Sequence, residues 1–180
     1  MGKALIRHFR EMARNNAWAN DRLLSACCVL SSVDFAATRT SFFPSIRETL
    51  NHNLLVDLYY LDALEQGGAG RAIWQNRRDL GTARGLRTAQ ARADRRLIAF
   101  CDALEPERLA VRVDVDRGHP VPERIDALLA HLFQHQIHHR GQAHAMLAGT
   151  AARPPQLDEF FLDYDRDPGA LALGLWPVPE

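Results

Sequence analysis

Five of the chain's eight histidines fall between positions 131 and 144. If that stretch is helical, each residue turns by about 100°. With His135 as origin, His131 and His139 lie about 40° to either side, Gln142 about 20° away and His138 about 60° away, while His144 falls about 180° away on the opposite face. Four imidazoles and one amide thus share a face that Leu128 and Leu132 also approach. Two histidines four apart on a helix stand about 6 Å apart at Cβ, close enough for both to reach one divalent ion at about 2.0–2.1 Å for zinc. His131–His135 and His135–His139 both have that spacing. A metal site in a helix bundle needs a further ligand from a facing helix, and His52 is the only other histidine in an apolar helical stretch; His8 and His119 are less well placed. The same face reads equally as a solvated stripe, or as core histidines bonded to backbone.

The elements that would carry these residues can be marked out by periodicity. Leu5, Phe9, Met12, Trp18, Leu23 and Leu24 recur at helical spacing, which predicts a helix over 3–29. Ser45-Ile46-Arg47-Glu48 has the form of a capping box and opens a second helix, broadly apolar through Leu50, Leu54, Leu55, Leu58 and Leu61, that stops at Gly67-Gly68. A Gly- and Arg-rich loop follows, with Trp74 as its large apolar anchor. Thr82 opens a third helix running to about Leu104. Between Glu107 and Pro122 the pattern lapses: Val111, Val113 and Val115 alternate with charged residues, then Gly118 and Pro120 follow, which predicts a short extended crossover or a hairpin. Pro122 suits the first turn of a last long helix ending at Gly149. After Pro154-Pro155 a short amphipathic piece, QLDEFFLDY, is expected as a C-terminal helical segment. The expectation is an all-α fold: one domain over 1–180, a four-helix bundle with an extended crossover connection.

Composition narrows the class. Apolar residues make up 47% of the 180 and charged residues 24%, an ordinary globular balance. Lys+Arg and Asp+Glu are both 22, so the net charge is zero and nucleic-acid binding is not expected. Three cysteines, Cys27, Cys28 and Cys101, form no disulfide framework and fit a reducing compartment as small core residues. With no apolar run of membrane length and no signal peptide in MGKALIRHFREMARNN, a cytoplasmic protein without membrane contact is expected.

Residues 131–147, HLFQHQIHHRGQAHAML, resemble the signature of the DinB-like family of small bacterial metalloproteins, which shares only a name with a translesion polymerase. Three further segments resemble that family in the right order: ARNNAWANDRLL at 13–24, TLNHNLLVDLYYLDAL at 49–64 and PPQLDEFF at 154–161. The HxxxHRGQ portion is the most specific. The resemblance implies a four-helix bundle holding a divalent metal through three histidines, which fall on His52, His135 and His139. It implies a homodimer, for which Trp18 and the mixed apolar and Arg faces are candidate contacts. Three neutral imidazoles suit zinc or nickel first, and iron, cobalt, copper or manganese after them. They leave a position open for water or a thiolate. Relatives in the wider superfamily are thiol-dependent S-transferases or isomerases, so a low-molecular-weight thiol or another small molecule is the expected substrate. The two function classes are a metal-dependent enzyme, S-transferase-like or hydrolase-like, and a non-catalytic metal-binding or stress-linked interaction protein whose ion is structural.

Around the three histidines, Gln142 is placed to orient His139. His138 belongs to the pocket, and His131 is the alternative ligand. On the second helix Glu48 and Tyr59 lie about 40° and 20° from His52. Glu48 could serve as a general base, although the capping box is its simpler role; Tyr59 is more simply a core residue. Asp57, about 140° off, is expected to pair with an arginine of another helix. Gly141 suggests close helix packing near the site, and Arg140 reads by default as a surface residue. Residues 71–96 carry eight arginines against Asp79 and Asp94, read as a solvated face or an anion-attracting rim, with the acidic stretch Asp158–Asp167 as a possible counterpart.

Overall fold

The computed structural model describes residues 2–162 and 168–178. Its elements are α1 (Gly2–Cys27), α2 (Ser32–Ala36), α3 (Ile46–Glu65), α4 (Ala72–Gln75), α5 (Ala83–Asp102), β1 (Arg112–Asp116), β2 (Pro120–Arg124), α6 (Ile125–Ala148) and α7 (Pro168–Ala172). The capping signals act as expected. Ser45 Oγ accepts from the Glu48 N–H and donates to Glu48 Oε1, both at 3.1 Å. Thr82 Oγ1 accepts from Gly85 N at 3.2 Å. Helix α3 ends at Glu65, with Gln66 in the left-handed region at φ 57°.

Four long helices, α1, α3, α5 and α6, pack in a ring in which α5 and α6 each touch both α1 and α3. Side-chain pairs give the directions. Arg14 meets Asp102 and Asp21 meets Arg87, so α1 and α5 are antiparallel. His52 meets His135 and Tyr60 meets His131, so α3 and α6 are antiparallel. Phe9 stacks on Phe133 and Asn16 bonds Arg140, so α1 and α6 run parallel. Asp57 meets Gln90 and Glu65 meets Arg96, so α3 and α5 run parallel as well. A parallel neighbour pair joined in sequence requires a connection along the whole length of the bundle, about 30 Å for a 20-residue helix. Residues 66–82 are that crossover, and they run over the outside of α3, where Leu80 N donates to Asn51 Oδ1 at 2.8 Å. The interior is filled by Leu61, Leu64, Leu86, Leu97, Leu129 and Leu132, all essentially inaccessible. The thiols of Cys27 and Cys101 are buried with them, and desolvation pushes both up to about 12.

Of the two forms expected for residues 107–122, the chain takes the hairpin. Strands β1 and β2 pair antiparallel, Val115 opposite Val121, and Val113 and Val115 turn inward. Pro122 therefore stands in β2 opposite Asp114, and α6 starts later, at Ile125. A two-stranded ribbon has outer edges where a proline's missing N–H costs nothing. Gly118, at φ 98°, forms the tip. The C-terminal piece also differs from expectation. Residues 156–162 are not helical; Phe160 instead caps Trp18, their ring centroids 5.8 Å apart, and the short helix is Pro168–Ala172. Trp18 is consequently fully buried and is not an intermolecular contact. Of the acidic stretch, Asp163 to Asp167 lie outside the described residues. No described helix is long and apolar enough to cross a membrane.

Candidate metal centre

The antiparallel pair α3 and α6 brings His52 to the face carrying His135 and His139. Two turns of α6 place His135 and His139 one above the other, ring centroids 4.5 Å apart. His52 faces both, at 4.9 and 4.8 Å. Its Nε2 lies 3.0 Å from Nε2 of His135. One nitrogen from each of the three rings lies within 4.8 Å of the others, a small side-chain rotation from the roughly 4 Å or less that two ligands of one ion at about 2.1 Å require. His139 is buried, and the other two rings are half-buried.

The electrostatics favour neutral rings. Burial, then the charge of His139 and of Arg77, pushes His52 down to about 4. Burial, then the imidazoles of His139, His52, His131 and His138, pushes His135 down to about 3. Burial also lowers His139, against the hydrogen bond to Gln142 that acts the other way. Neutral imidazole is the form that ligates a metal. Nδ1–H of His139 donates to Gln142 Oε1 at 2.8 Å, which leaves its Nε2 lone pair for an ion. The amide of Gln142 donates onward to His138 Nε2 at 3.0 Å. Nδ1 of His135, the nitrogen turned away from His52, is buried with no hydrogen-bond partner among the described residues. The donor set and its charge state fit a divalent cation.

Other expected site residues sit further out. Exposed His138 joins the centre through Gln142, and exposed His131 lies 6.2 Å from His135, ring to ring, against Tyr60. Neither belongs to the tight cluster. Glu48 is held in the Ser45 cap. Tyr59 donates its hydroxyl to the Asp116 carbonyl at 2.5 Å and packs on Trp74, one ring removed from His52. His144 points away, onto the Pro155 carbonyl at 2.8 Å. The aromatic wall was not legible as part of the site. Phe43 lies 4.4 Å from His52 and 5.4 Å from His139, Phe42 covers His139 at 6.2 Å, and Trp74 stands 6.1 Å from His52. All three are on connections, where helical periodicity gives no positional information.

A buried polar layer spans the bundle next to the centre. Each helix contributes two polar residues four apart: Asn16 and Asn20, Asn53 and Asp57, Gln90 and Asp94, Gln136 and Arg140. Asp57 accepts from Gln90 at 2.6 Å and from Gln136 at 2.7 Å. Asp94 Oδ1 accepts from Asn16, Asn20 and Gln90. Arg140 donates to the side-chain oxygens of Asn16 and Asn20. Burial pushes Asp57 up to about 8 and Asp94 up to about 6, and lowers Arg140 to about 10. Arg140 is thus an interior residue, not the surface residue expected, and Asp57 reaches it through amides rather than by a direct ion pair. Gly141 differs too: a Cβ there would meet open space, so close packing does not explain it.

A sequence model of the DinB family matches residues 1–167. Among solved structures, a DinB-like protein of Bacillus subtilis, YjoA, superposes with a TM-score of 0.57 at 19% identity, over 83% of this chain and 96% of that one. That likeness is one of fold. No curated protein matches the chain.

Proposed function

The chain belongs to the DinB family, and from that membership and the histidine cluster we propose that it is a divalent-metal-binding protein whose ion is held by His52, His135 and His139 and serves a transfer or hydrolysis reaction on a small molecule. The observation that carries this reading is the convergence, from two antiparallel helices, of three neutral imidazoles with donor atoms within 4.8 Å. Zinc or nickel is the proposed ion, on the affinity of imidazole for borderline cations.

When bound, such an ion supplies a Lewis-acidic position that lowers the pKa of a water or thiol nucleophile. The protein's own part is positioning. Gln142 fixes the tautomer and ring plane of His139. Phe43 packs against the rings of His52 and His139 and bounds one side of the site, with Phe42, 77% exposed, at its edge. Glu48 is committed to its helix cap and His131 is exposed, so neither closes the site as a fourth protein ligand. An open position is the mark of catalytic rather than structural sites, which favours the enzyme over a structural ion.

The decisive experiment is elemental analysis of tag-free protein beside the His52→Ala variant. About one ion per chain, lost in the variant, is expected. Wild-type protein that stays metal-free after reconstitution would overturn the reading.

A further inference from the structure

We propose that a cleft beside the three histidines, lined by Tyr59, Tyr60, Arg71, Trp74, Asp116 and Arg117, is the subsite that holds an anionic group, carboxylate or phosphate, of the molecule acted on at the candidate metal centre. The proposal rests on the functional reading above and names the substrate class for it. The cleft has a volume of about 340 Å³ and shares its walls with the histidine site: Trp74 is the ring that flanks His52, and Tyr60 the ring that flanks His131.

Two separate segments deliver its cations. Arg71 comes from the crossover and Arg117 from the hairpin tip. The two are brought together, since Arg71 Nη1 would lie 2.9 Å from a Cβ placed on Gly118, the residue after Arg117. Like charges repel, yet neither guanidinium has a carboxylate within ion-pair distance among the described residues. Arg77, Arg87 and Arg96 each have an acid, in Asp79, Asp21 and Glu65, so what sets Arg71 and Arg117 apart from the other unpaired arginines is that they line one cleft together. The one acid in the cleft, Asp116, turns its two oxygens to the backbone N–H groups of Arg71 and Gly118, both at 2.9 Å, and its charge offsets that of Arg71 only in part, from beyond ion-pair distance. Arg117 Nη2 donates to Tyr60 Oη at 3.3 Å, which leaves that hydroxyl's own proton to donate. Two planar guanidinium forks and a phenol O–H beside an indole face match an oxyanion attached to a flat or apolar body. A bound anion would also relieve the repulsion between the two arginines.

The test is anion binding followed by tryptophan fluorescence on metal-free, full-length protein at constant ionic strength. Of the three tryptophans Trp74 is in the cleft, Trp18 is fully buried and Trp176 packs on Phe160, and Trp74→Phe assigns the signal. The probes are inorganic phosphate, benzoate and phenyl phosphate. A saturable response is expected, its Kd raised about fivefold or more by Arg71→Met or Arg117→Met. Arg92→Met, which removes the same charge from exposed α5 surface, is expected to leave it unchanged. A response confined to phosphates or to carboxylates supports the proposal and identifies the group. No saturable response to any probe, or one that both cleft variants leave intact, overturns it. His135→Ala is run in parallel with metal analysis. An anion response from a protein whose wild type takes up no metal on reconstitution would sink the metal reading and leave the subsite standing; metal taken up by a protein with no anion response would do the reverse.

Discussion

Nε2 of His52 and Nε2 of His135 face one another at 3.0 Å across the α3–α6 interface. Burial holds both rings neutral, and in the tautomer that carries its hydrogen on Nδ1 each ring turns an Nε2 lone pair toward a common position. Removing either ring should empty that position. His52→Ala, His135→Ala and His139→Ala are each expected to reduce metal from about one ion per chain to none, while His144→Ala, whose ring bonds the Pro155 carbonyl, keeps it. Mass-spectrometric metal analysis of tag-free protein reads all four.

Gln142 is expected to matter without touching the ion. Gln142→Leu removes the acceptor for His139 Nδ1–H and should weaken metal binding about 10- to 100-fold, while Gln142→Glu retains an acceptor and most of the affinity. Competition against a chromophoric chelator measures both; equal affinities in the Leu variant and wild type would remove Gln142 from the site.

The metal-free protein should carry two opposed contributions to its pH dependence, one from the histidines and one from Asp57. The folded pKa values of His52 and His135, about 4 and 3, lie below the ordinary 6.5. Their contribution is present above 6.5 and lost as pH falls toward those values, because the unfolded chain takes up protons that the folded one refuses. Asp57 is raised to about 8. Its contribution is present at low pH and lost as pH rises through that value. Urea melts at fixed pH should show a smaller loss of stability below about pH 6.5 in His135→Ala, and in Asp57→Asn a smaller loss as pH rises from about 4 to about 8.

Arg140→Met should leave Asp94, raised to about 6 and so ionised at pH 7, buried without the cation that Arg140 supplies, while Asp57, at about 8, is already largely protonated there. A loss of roughly 3–5 kcal/mol is expected at pH 7, with a smaller loss at pH 5, where the raised carboxyls are already protonated. Chemical denaturation at the two pH values measures the difference.

Gly141→Ala is expected to stabilise the protein by about 0.5–1 kcal/mol, because the position is helical, exposed and free of contacts to a Cβ. An unchanged or lowered midpoint in thermal melts would show that the glycine has a role its surroundings do not display.

What could be read in advance follows the range of each signal. The helix starts at Ser45 and Thr82 are local, carried by side chains three residues from the N–H they accept, and both were legible. The α6 histidine face was legible because helical geometry alone sets it. Pro122 misled, since the same missing N–H that suits a helix's first turn also suits a ribbon edge, and only the pairing with Asp114 decides between them. Arg140 was taken as a surface residue because burying a guanidinium needs acceptors from α1, about 120 residues away; the i, i+4 repeat of Asn, Asp, Gln and Arg on all four helices was present in the sequence and would have signalled the layer. Phe42, Phe43 and Trp74 reach the histidines from connections, whose course depends on helix directions that no local pattern encodes.

The crossover over residues 66–82 has a consequence for how such a protein can diversify. The histidines stand on α3 and α6, whose inner faces also hold the core, so changes there threaten stability and metal together. Trp74 and Arg71 ride on a strap outside the bundle, which meets α3 through Asn51 and Leu80. Lengthening such a segment costs little, since closure entropy grows only logarithmically with length. The strap can therefore be exchanged like a removable faceplate while the histidines and the bundle beneath it stay as they are.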